Sequence, residues 1–164
     1  MADWKNRWAP AAGLLLALAL GLSACAPESA ADAAARALHL DLSRAETIAS
    51  TDSHGGIQGD GTTYLMLRVP ADALLAQIRG QDRWRPFPME ETARILAYGV
   101  ADEQGSMGPY LGDVALPDVQ NGYYCLIDRH SERQTALLER ASFHFTLAIY
   151  DMDTGILHIC LVDT

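Results

Sequence analysis

Two apolar segments at the C-terminal end of the chain, 142–151 and 156–163, are joined by Met152-Asp153-Thr154-Gly155. They constrain the fold more than any other feature. The connection reads as a type I turn with Gly155 in the left-handed bulge position, so the segments form an antiparallel hairpin. Opposing Ile149 to Ile159 and Leu147 to Leu161 places Phe143, Phe145, Leu147, Ile149, Leu157, Ile159 and Leu161 on one buried face. His144, Thr146, Ala148, Tyr150, His158, Cys160 and Val162 then lie on the other. A third strand, 123–129, precedes them and completes a meander.

Upstream, 62–69 alternates as a strand should, and 46–51 carries a weaker strand signal. Between them, Asp52-Ser53-His54-Gly55-Gly56-Ile57-Gln58-Gly59-Asp60-Gly61 reads as a hairpin loop. Two helices follow. Pro70 opens the first and Gly80 ends it, with Leu74, Leu75 and Ile78 on one face; Pro88 opens the second and Gly99 stops it, with Met89, Thr92, Ile95 and Leu96 in a stripe. Residues 100–122 lack periodicity and read as a long surface loop. The fold expected is α+β: an antiparallel sheet ending in a three-stranded meander, with two helices packed on one face.

The N-terminal part has a different character. Lys5 and Arg7 precede twelve residues, Ala11 to Leu22, built only of Ala, Leu and Gly, and the run closes on Leu22-Ser23-Ala24-Cys25. That run suits a signal peptide and falls short of the ~20 residues that span a bilayer. The four closing residues resemble the lipobox of bacterial lipoproteins. The resemblance implies that residues 1–24 are a signal peptide, that Cys25 is the lipidated first mature residue, and that the protein sits in the cell envelope, anchored to the outer face of a bacterial membrane or to the outer membrane. An ordinary secretory signal with Cys25 near the cut is the alternative. Residues 25–39 are Ala-rich and read as a surface tether, leaving 40–164 as a single domain.

With residues 1–24 set aside, and Lys5, Arg7 and Asp3 with them, the remaining 140 residues carry 10 Arg against 20 Asp and Glu, a formal charge of −10. Nucleic acid is therefore not an expected partner, because binding to polyanions needs clustered cations. The membrane is expected as a partner through the lipid on Cys25; a protein or small-molecule partner is left open. Cys125 and Cys160 lie two strands apart in the meander, roughly 9 to 10 Å at ~4.8 Å per strand, beyond the ~7 Å a disulfide tolerates. No disulfide is expected.

Two polar clusters are candidate chemistry. Asp52, His54 and Asp60 flank glycines that let a backbone approach a ligand, although a wide hairpin loop needs the same residues for its turns. Asp128 and His130 sit two apart at a strand exit, spaced for a carboxylate-oriented imidazole or for a solvated ion pair. If the two clusters converge, two imidazoles and two carboxylates would suit zinc or manganese. His144 and His158 are expected to be ordinary sheet residues outside that site. Arg79, Arg83, Trp84 and Arg85 read as a partner hot spot or as a core-edge Trp among wet arginines.

No nucleophile elbow, phosphate loop, dinucleotide fingerprint or zinc-protease helix is present. From Asp52 onward the body resembles small bacterial exported proteins, many of them lipoproteins. The residues that carry this are the 52–61 loop, Asn121-Gly122-Tyr123-Tyr124, Asp128-Arg129-His130-Ser131, 150–154 and Asp163-Thr164. That family supplies no activity to transfer. A binding or accessory role at the envelope is expected, the alternative being a small metal-dependent or hydrolytic enzyme using the same residues.

Overall fold

The computed structural model describes residues 29–55, 59–103 and 105–164. Cys25 and the lipobox, like Gly56, Ile57 and Gln58 of the loop, lie outside the described residues. The elements are α1 (Ala30–Leu38), β1 (Glu46–Asp52), β2 (Gly61–Arg68), α2 (Ala71–Arg79), β3 (Arg85–Pro86), α3 (Glu91–Tyr98), β4 (Val100–Asp102), β5 (Gly105–Met107), β6 (Gly122–Asp128), a 3-10 turn (Leu137–Glu139), β7 (His144–Asp151) and β8 (Ile156–Asp163). Six strands form one antiparallel sheet in the order β1-β2-β8-β7-β6-β3, and β4 and β5 form a separate small hairpin. The α+β class and the closing meander β6-β7-β8 agree with the sequence reading.

The register of the last hairpin differs from it by one residue. Leu147 opposes Cys160 and Ile149 opposes His158, because Asp151 and Ile156, which flank the four-residue connection, pair directly. Asp151 holds this turn: its carboxylate accepts from the Asp153 amide at 2.9 Å and the Thr154 hydroxyl at 2.7 Å. Gly155 is left-handed, as expected, with φ 69°.

The shift matters because directly opposed residues share a face. Ala148, Tyr150, Leu157 and Ile159 pack with Leu65 and Leu67 into one core, whereas Phe145, Leu147, Ile149, Cys160 and Val162 pack with Tyr64 into another. Both faces are therefore covered. α2 lays Leu74 and Ile78 on the first face, with Trp84 beside them; α3 lays Ala93, Leu96 and Ala97 on the second. The expectation of two helices on one face is corrected accordingly. The central strands are apolar on both sides, so each face needs its own cover to keep that surface from water.

Part of that cover comes from the segment expected to be a tether. Ser29 caps α1 by accepting from the Asp32 amide at 3.1 Å, and Ala34 and Leu38 are completely buried in the first core. An Ala-rich helix has little bulk to bury, but its small side chains let the backbone approach the sheet closely, and one Leu at the right turn completes the stripe. His39 ends α1 in a left-handed conformation (φ 53°), with its amide and that of Leu40 closing onto Arg36 and Ala35 carbonyls. The segment after α3 is likewise no free loop. It adds the β4-β5 hairpin, and its Leu111 and Val119 are buried in the second core. Trp84 is core, with Arg79, Arg83 and Arg85 exposed around it.

Cys125 opposes Ala148 and Cys160 opposes Leu147, so the thiols point to opposite faces. Both are free and buried, and burial raises the Cys125 thiol to about 11 and the Cys160 thiol to about 12.

Candidate functional site

The antiparallel register brings five strand ends to one end of the sheet. Asp52 closes β1, Gly61 opens β2, Asp128 closes β6, His144 opens β7 and Asp163 closes β8; Gly61 and His144 both pair with Asp163. The two clusters read from the sequence therefore lie at the same end. They do not touch each other directly. Asp163, which that reading did not single out, stands between them.

On one side of it is His54. Its Nδ1 lies 2.6 Å from Asp52 Oδ1, and its Nε2 lies 3.4 Å from Asp163 Oδ2. Asp52 Oδ1 also accepts from the His54 amide at 3.0 Å, an Asx turn that fixes the loop as it leaves β1. The returning chain crosses so near that a Cβ on Gly61 would sit 2.5 Å from the His54 Cα, so this glycine is required for close approach. The His54 amide and ring hold the Asp52 carboxyl below its ordinary value. Asp60 is exposed and contributes only its carbonyl, which accepts from the Gly55 amide at 3.4 Å; it does not join the site.

On the other side is His144, whose Nδ1 lies 2.9 Å from Asp163 Oδ1. Arg129 Nη2 completes the set at 3.1 Å from the same carboxylate, while also donating to the Phe145 and Val162 carbonyls. Burial pushes the Asp163 carboxyl up, but the hydrogen bonds from Arg129 and His144 outweigh it and leave the group below its ordinary value. The His130 ring then stacks at a tilt on His144, with centroids 5.1 Å apart. Three imidazoles thus gather around Asp163.

The Asp128 segment is built by hydrogen bonds of its own. Asp128 Oδ1 accepts from the His130 amide at 3.0 Å, and Oδ2 accepts from Arg140 Nη1 at 2.9 Å. Here too burial raises the carboxyl and the Arg140 and His130 bonds more than reverse it. The Asp128 carboxylate therefore orients the His130 backbone, not its imidazole as the two-residue spacing suggested.

What the site can do chemically follows from the ring nitrogens. The Glu132 amide donates to His130 Nδ1 at 3.0 Å, so in the neutral ring the proton sits on Nε2 and is given to Ser142 Oγ, 3.2 Å away. A base must accept the hydroxyl proton. The Ser142 and His130 pair is polarised the wrong way for nucleophilic catalysis. His144 is different: Nδ1–H donates to Asp163, which leaves the Nε2 lone pair open on a half-exposed ring. A cation, however, would meet Arg129 already seated on the shared carboxylate. Among the described residues no three His, Cys, Asp or Glu side chains are arranged to hold a metal ion. The residues expected to hold zinc or manganese do not assemble a ligand set.

His144 and Asp163 were hidden by the register. In the pairing read from the sequence His144 faces Thr164; in the true one it faces Asp163. No family model, curated protein or solved structure matches the chain.

Proposed function

We propose that this chain is a lipid-anchored protein of the bacterial envelope, acting there as a binding or accessory module through the polar end of its sheet. The observation that carries the reading is Leu22-Ser23-Ala24-Cys25 closing a twelve-residue apolar run behind Lys5 and Arg7. The anchor is the lipid itself: a net-negative body is not drawn to anionic head groups, and at ~0.8 kcal/mol per buried methylene two or more acyl chains hold firmly where one is marginal. A clickable palmitate analogue fed to the producing cells marks the native protein and leaves Cys25→Ala unmarked. Equal labelling of both overturns the reading.

Binding is favoured over catalysis because the polar end offers oriented donors and acceptors without an activated nucleophile. The enzymatic alternative rests on one feature, the open Nε2 of His144 held by Asp163, which is how a general base is presented. It predicts hydrolysis of a small chromogenic ester that is lost in His144→Ala. The binding-module reading predicts no such hydrolysis and, since no metal ligand set assembles among the described residues, zinc or manganese should give no saturable heat under either reading.

A further inference from the structure

We infer that the anchor holds the domain directly against the phospholipid head groups, with the first turn of α1 as the membrane-facing contact. This rests on lipidation of Cys25. A tether covering 25–39 would let the domain range about 50 Å from its lipid, at up to ~3.6 Å per residue. The fold removes most of that reach. Ser29 is already the cap of α1, and only four residue steps separate it from Cys25, a span of at most about 14 Å.

α1 is part of the domain and cannot lengthen the leash by peeling away cheaply. Ala34 and Leu38 are completely buried, and the far end of the helix is tied to α2 and the turn after it. Gln81 Nε2 donates to the His39 carbonyl at 3.0 Å, and Arg83 Nη1 to the Ala37 carbonyl at 3.3 Å. The Asp41 amide donates to Gln77 Oε1 at 2.6 Å, and Gln77 Nε2 returns a bond to the Asp41 carbonyl at 3.3 Å. Releasing α1 would break these bonds and wet the first face of the sheet. The exposed residues of its first turn, Ser29 and Asp32, are therefore confined to the neighbourhood of the head groups. α3 packs on the opposite face of the sheet and supplies the reference position.

The test uses the full-length, acylated protein in phosphatidylcholine vesicles carrying a trace of rhodamine-labelled phosphatidylethanolamine. A donor dye is placed on Asp32→Cys or on Glu91→Cys, both exposed positions; Cys125 and Cys160 are buried and stay unlabelled. Energy transfer to the bilayer is expected to be several-fold stronger from position 32 than from position 91. A Gly/Ser spacer of about 20 residues inserted between Glu28 and Ser29, worth roughly 25 Å of reach, should abolish most of that difference. Equal transfer from the two positions in the unspaced protein, or no effect of the spacer, overturns the inference while leaving the anchor intact. Protein that carries no acyl label and fails to float with the vesicles overturns the anchor, and this inference with it.

Discussion

The two faces of the sheet are built to the same plan and differ in how each treats the polar groups it buries. On the face under α3, His158 is almost wholly buried and lies 2.9 Å through Nδ1 from the Tyr64 hydroxyl, the two rings stacked at 6.2 Å. On the face under α1 and α2, Thr146 is fully buried and its hydroxyl has no hydrogen-bond partner. One face pairs its buried histidine; the other leaves two buried donors unmet, the Thr146 hydroxyl and Trp84 Nε1. The difference teaches that burial on both sides came with two separate solutions, and that the faces can be probed one at a time.

The largest effect tests whether both faces are core. Leu147→Ala, under α3, and Leu157→Ala, under α1 and α2, should each cost about 2–5 kcal/mol in urea unfolding. A cost confined to one of them would mean a one-sided sheet. Next, Tyr64→Phe strands the His158 ring without its partner and should cost about 1–3 kcal/mol. Burial also depresses the His158 imidazole, with Asp151 opposing only in part. The folded protein therefore binds the proton less readily than the unfolded chain, so stability is full above the ordinary histidine value of ~6.5 and declines as pH falls from there toward the lower folded value. His158→Gln should flatten that decline between about pH 7.5 and 5 relative to the native protein. An unchanged slope would place the titration elsewhere. Smallest is Thr146→Val, which removes the orphaned hydroxyl at constant shape and should raise stability by about 1 kcal/mol; a loss of that size would reveal a partner for the hydroxyl.

The polar end of the sheet makes a complementary test by acid. Asp163 sits below its ordinary value through Arg129 and His144. Its contribution is present above the unfolded value of ~3.9 and fades as pH falls below it. Asp163→Asn should thus be less stable than the native protein at neutral pH, and the gap should narrow below about pH 4. A gap independent of pH would mean that the charge carries none of that stability.

Strands with one strong pattern and helices punctuated by Pro and Gly were legible in the sequence: β2, α2, α3 and the meander fall close to where they were expected. The failures share a cause. Period-2 alternation locates a face only when the other face is polar, and β7 and β8 are apolar on both. With no polar side to anchor it, the hairpin could slide by one residue, and nothing in the pattern marks the Asp151 carboxylate, whose bonds to the turn settle the slide by pairing Asp151 with Ile156. That single step moved Thr146 to the wrong environment and separated His144 from Asp163. α1 was missed for another reason: its burial depends on Ala34 and one Leu38 against a sheet assembled from distant residues, which composition alone reads as a tether. His54, Asp128 and His130 were found because unusual residues cluster locally. Asp163 was not, since its partners come from three other elements.

The cover of the first face is shared by α2 and α1, and the account turns on α1 being structural cover and not a leash. Urea unfolding of a chain beginning at Ser29 should be compared with that of a chain beginning at Leu40. If α1 closes the first face, the shorter chain loses about 3 kcal/mol or more, the scale of one fully buried Leu and the sheet surface around it, whereas superimposable unfolding curves would contradict that closure and return residues 29–39 to a tether.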